Sequence, residues 1–114
     1  TRKAAARMFL DTLGITIGAG PMEAGRIARD TAAVLYGAGD DLGARMMFDG
    51  RRVSAAGAAF AAATATDNLD GHDGYYPTKG HIGVVVIPAL AALAETVDDF
   101  SGPEALGIST IRYE

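Results

Sequence analysis

The chain has 114 residues, 49% of them hydrophobic and 21% charged, with a formal net charge of -4 and no cysteine. That apolar content can offset chain entropy and supports one modest core, a single domain or a piece of one, which excludes wholesale disorder. The acidic balance and the lack of a basic run exclude nucleic acid as a partner, and the missing cysteines exclude disulfides and thiolate chemistry, leaving the cytoplasm as the default compartment.

The first predicted element is a helix beyond Lys3, in which Ala6, Phe9, Leu13 and Ile17 recur at steps of three and four and so share a face. It should stop near Gly18 and Gly20. Pro21 then opens a second helix whose inward face is Ile27, Thr31, Val34 and Leu35, ended by Gly37 and Gly39 in left-handed conformations. Strands at 45–48 and 51–53 flank Asp49-Gly50, a dipeptide that tolerates positive φ in a tight hairpin. Ser54 caps a third helix over 55–66, rich in alanine and therefore able to accept a close neighbouring backbone.

Residues 71–80 hold Gly71, Gly74, Pro77 and Gly80, so they read as a loop. A buried helix over 82–97 follows, which Pro88 kinks unless it marks a first turn. Ser101 and Glu104 form a capping box for a last helix through Leu106, Ile108 and Ile111. That helix reaches Glu114 with no stop signal, from which we expect a truncated domain. The apolar run 84–94 is too short to cross a bilayer, which takes roughly twenty residues, and Asp11 interrupts the only stretch resembling a leader. No membrane association is expected. The fold class is all-α, with at most one short β-hairpin.

The chemistry concentrates between Asp67 and His81. Both histidines of the chain lie there with Asp67, Asp70, Asp73, Lys79, Tyr75 and Tyr76, whereas the flanking helices are almost free of ionisable groups. A loop held between two buried helices presents acid and base groups with little positional freedom, as proton transfer requires. His81, at the mouth of the apolar helix, can act as a base if its imidazole is neutral; alternatively it caps the helix. Lys79 can bind a substrate carboxylate as a point charge or simply be solvated. Asp70 and Asp73 can orient a histidine or hold a substrate hydroxyl, or else close Asx turns. His72 is a second acid–base candidate or an exposed turn residue, and the tyrosines are wall residues.

Sharper motifs fail. A calcium loop needs a closing Glu, absent here, and a phosphate loop needs Gly-Lys-Ser/Thr, whereas Lys79 precedes Gly80 and His81. Asp70, His72 and His81 match no established zinc spacing.

Three segments resemble the MmgE/PrpD family, which includes 2-methylcitrate dehydratases, cis-aconitate decarboxylases and iminodisuccinate epimerases. They are Leu10-Asp11-Thr12-Leu13-Gly14; Gly50-Arg51-Arg52-Val53-Ser54 with Ala58-Ala59-Phe60; and Leu69-Asp70 through Lys79-Gly80-His81-Ile82-Gly83 with Pro88-Ala89-Leu90. The resemblance implies a longer enzyme with a helical domain, of which this chain is the N-terminal part, and a smaller α/β lid. It implies a lyase or isomerase acting beside a carboxylate of a small di- or tricarboxylic acid, with no metal and no cofactor. By the same resemblance His81 and Asp70 are catalytic, and Lys79, Asp73 and His72 bind substrate. His72 and Gly74 stand where some members carry a second Asp and a Thr, which bears on substrate choice. This chain alone should be inactive, and a homodimer or a complementing chain is the expected partner. The competing reading is a non-catalytic helical interaction module or a decayed family member.

Overall fold

A computed structural model describes residues 2–38, 42–77 and 79–112. Five helices and one hairpin follow in the order α1 (Arg2–Ala19), α2 (Glu23–Leu35), β1 (Gly43–Arg45), β2 (Arg52–Ser54), α3 (Ala55–Leu69), α4 (Gly83–Ala94) and α5 (Gly102–Arg112). The all-α class with a single antiparallel hairpin therefore holds. The alanine-rich α3 is the hub, packing against α1, α2, α4 and both strands. Small side chains let those neighbours approach closely, and Ala58 and Ala61 meet Ala32, Ala44, Met46, Val53 and Ala92 in the main core. A second cluster of Val86, Leu90 and Ala105, flanked by Phe9, Ile82 and Phe100, joins α4 to α5.

Two helical faces differ from the pattern expected. On α1 the buried residues are Ala5, Thr12, Thr16 and Ala19, while Ala6 and Ile17 face outward and only Phe9 and Leu13 of the expected face are half-buried. Thr16 and Thr66 lie 2.8 Å apart across α1 and α3, and each hydroxyl also reaches its own helix's carbonyl at Thr12 and Ala62, 2.8 Å in both cases. With one proton per hydroxyl only two of those three contacts form at once, which is enough to bury both threonines at little cost. On α2 the inward residues are Gly25, Ala28 and Ala32; Ile27, Val34 and Leu35 are 52, 82 and 70% exposed. The cause is the tight approach of α3, which leaves no room for larger side chains.

Boundaries shift for local reasons. Pro21 precedes α2 rather than opening it, and α2 ends at Tyr36, whose N–H donates to the Ala32 carbonyl; Gly37 is not left-handed, and Gly39 lies outside the described residues. The hairpin pairs Gly43 with Ser54 and Arg45 with Arg52, and its turn is wider than Asp49-Gly50 alone. Met46 receives and donates the closing bonds, to and from Arg51 and Gly50, and positive φ falls on Phe48 and Gly50. Ser54 caps α3 as expected, its Oγ accepting the Gly57 N–H at 3.2 Å, but α3 continues to Leu69 and so carries Asp67. Pro88 sits inside α4, beyond the first turn, and α4 stops at Ala94 rather than Val97. At α5 Glu104 reaches back to the Ser101 N–H at 2.9 Å, half of the capping box; residues 113 and 114, to which the last helix was expected to run, lie outside the described residues. No helix among the described residues is long and apolar enough to cross a membrane.

Candidate active site

The segment from Asp70 to Ile82 leaves α3 and returns at α4. It departs sharply because Asp70 is the α3 C-cap with φ 51°, a left-handed conformation that aspartate tolerates better than most side chains. A bridge between Tyr75 and Gly80, with the Tyr75 N–H donating to the Gly80 carbonyl at 3.0 Å, folds the middle of the segment back on itself. Within that fold Lys79 has φ 50°, a costly conformation for a lysine, which the closure on Tyr76 imposes.

Asp73 ties the segment to α4 through its carboxylate and to His81 through its carbonyl. Its carboxylate Oδ1 accepts the N–H of Gly83, the first residue of α4, at 3.0 Å, where an anion also suits the helix dipole. Its backbone carbonyl lies 2.8 Å from Nδ1 of His81. A carbonyl can only accept, so Nδ1 carries the proton in this contact, and the neutral ring then presents an unprotonated Nε2. Gly83 has to be glycine, because a Cβ there would overlap Asp73 Oδ1 and crowd Thr12 Oγ1. Gly74 matters in the same way: a Cβ would lie 3.2 Å from Cε1 of His81.

His81 is exposed and lines a hollow of about 380 Å³ together with Gly74, Tyr75, Tyr76, Lys79 and Gly80. An imidazole nitrogen, an ammonium and two phenols thus border one open concavity, a set suited to an anionic substrate with a removable proton. A larger hollow of about 500 Å³ lies between the hairpin and α3–α4, but its charged groups are paired, Arg45 with Glu95 at 2.8 Å and Asp49 with Arg51 at 2.6 Å, and its floor is Met46, Ala58, Ala62 and Ala92. It offers no acid–base group comparable to His81.

The expected site residues separate into two groups. His81 and Lys79 share the hollow, with Asp73 behind His81. Asp70 does not line it, and its carboxylate makes no hydrogen bond or ion pair among the described residues. His72 is not an exposed turn residue: its side chain is 1% exposed and its ring lies edge-on to that of His81, centroids 4.6 Å apart at 82°. Asp70, His72 and His81 form no metal-binding group among the described residues. Thr12 is not among the expected site residues. Its buried hydroxyl lies close to Gly83 and makes no hydrogen bond among the described residues, and the available signal was its four-residue spacing from Thr16.

The fold and the hollow define a helical domain that presents a histidine and a lysine on the loop between α3 and α4. A family model described as MmgE/PrpD N-terminal domain matches residues 1–110, so the chain belongs to the MmgE/PrpD family. No curated protein and no solved structure matches it.

Proposed function

We propose that this domain is part of a lyase or isomerase that breaks a bond beside a carboxylate of a small di- or tricarboxylic acid, as a 2-methylcitrate dehydratase does, with His81 as the acid–base group. The observation that carries the reading is the contact of Nδ1 with the Asp73 carbonyl, which orients the ring and leaves Nε2 to take a proton at the hollow. In a dehydration, Nε2 removes the proton from the carbon beside the carboxylate. The C–H electron pair becomes the new carbon–carbon double bond as the C–O bond to the neighbouring hydroxyl breaks, and that hydroxyl leaves as water with the proton Nε2 has taken up, which returns the ring to its neutral state. Lys79 stabilises the negative charge that builds on the carboxylate. Asp70, at the entrance of the loop and outside the hollow, is assigned no part in this step. The family resemblance supports the view that further basic and tyrosine groups come from outside these 114 residues, and the exposed apolar side chains support a second copy or a complementing chain as partner.

The test is turnover by the full-length enzyme on a panel of hydroxy di- and tricarboxylic acids. His81→Gln, which keeps polarity and loses basicity, should lower kcat at least about 100-fold, the usual weight of general acid–base catalysis. A His81→Gln enzyme with undiminished kcat would overturn the reading.

A further inference from the structure

Among the described residues His72 makes no hydrogen bond through either ring nitrogen, although its side chain is 1% exposed. Its nearest ionic neighbour is Asp67 on α3, with Nε2 3.5 Å from Oδ1, outside hydrogen-bond geometry; the Asp67 side chain is 73% exposed to solvent. Buried polar atoms are nearly always paired, because leaving them unpaired costs stability. A histidine kept at this depth with no hydrogen bond, and with only a 3.5 Å contact to an exposed carboxylate, is placed for its ring more than for its nitrogens. What it does contact is the ring of His81, edge against face, centroids 4.6 Å apart. The Gly74 backbone also lies against that ring, close enough that an added Cβ would meet Cε1 at 3.2 Å, and the Asp73 carbonyl holds Nδ1.

We infer that His72 is a positioning residue: its buried ring, packed edge-to-face on His81, fixes the plane of that imidazole so that the Asp73 carbonyl selects its tautomer, and its own nitrogens take no part in the chemistry. The inference rests on the reading of His81 as the acid–base group. Aromatic pairs favour this T-shaped arrangement because the positive edge of one ring meets the negative face of the other. Without the second ring, the His81 imidazole is held by the Nδ1 contact and can tilt about it, and a displacement of the order of 1 Å at a reacting atom is enough to cost about 100-fold in rate.

The discriminating pair is His72→Phe, which keeps an aromatic edge and discards both nitrogens, against His72→Ala, which removes the ring. In the full-length enzyme His72→Phe should hold kcat within about threefold of the parent, whereas His72→Ala should lower kcat about 10- to 100-fold with KM within about twofold. Nitrogen-15 NMR of the histidine rings reads the same effect without turnover. The protonated Nδ1 of His81 should persist in His72→Phe and give way to mixed tautomers in His72→Ala. Equal loss of kcat in both variants would show that the nitrogens are used, and an unaltered kcat in His72→Ala would show that the ring is not needed; either result overturns the inference. If His72→Ala fails to fold, His72→Phe and its NMR spectrum decide alone. Should His81→Gln keep full turnover, the proposed chemistry falls, while the tautomer measurement still judges the role of His72.

Discussion

Asp73 serves the site through its backbone and its side chain at once, and the two can be tested separately. The carboxylate bond to Gly83 closes the first turn of α4, a position where losing the acceptor typically costs about 1 kcal/mol. Asp73→Asn retains an oxygen and should stay within about 0.5 kcal/mol of the parent, while Asp73→Ala should lose about 1 kcal/mol in urea unfolding. Equal stabilities would show that the bond contributes nothing. Much of this site was legible as residue type: His81, Lys79 and Asp73 stand out because an acidic, basic and aromatic cluster interrupts two apolar helices. The burial of His72 was not legible, since a histidine between aspartate and glycine has every local mark of an exposed turn. Only the return of the chain at α4 brings the His81 ring over it.

The join between α2 and the hairpin is ionic. Arg51 reaches both Asp30, at 2.8 Å, and Asp49, at 2.6 Å, and Arg29 approaches Asp49 at 3.6 Å with both side chains largely buried. The hydrogen bond from Arg51 is the main cause that holds both carboxylates below the ordinary range, while partial desolvation opposes it. A carboxylate depressed on folding contributes stability that is complete above its unfolded value, about 4, and is lost as the pH falls through its lower folded value. The thermal midpoint should therefore drop as the pH falls below about 4, and Asp49→Asn should flatten that acid limb; an identical slope in the variant would exclude the network as its source. The inner face of α2 makes a second prediction. Ala32 is fully buried against α3, so Ala32→Leu should cost about 1–3 kcal/mol in urea unfolding through overpacking. The helices themselves were readable from capping and glycine signals, but their inward faces were not. Large apolar residues mark a helix face, whereas the distance to its neighbour decides which face can enter, and here α3 accepts alanine and glycine.

The whole domain leaves large apolar side chains in the open, among them Leu10 on α1, Val34 and Leu35 on α2, and Leu42 beside the hairpin. Such surface favours association. Sedimentation velocity of the 114-residue chain should show concentration-dependent self-association that Leu35→Lys weakens, and a monomer at every concentration would remove the case for a covering partner. Composition and period-3.6 patterning were enough to establish a helical domain with one hairpin, because secondary structure follows local rules of capping, turn chemistry and side-chain spacing. The ionisable cluster, too, was present in the order of the residues. Which oxygen of Asp73 faces His81, why His72 is dry, and why Asp70 stands apart were decided by tertiary packing. Two rings nine positions apart, from His72 to His81, meet only after α3 and α4 have docked and the loop between them has closed.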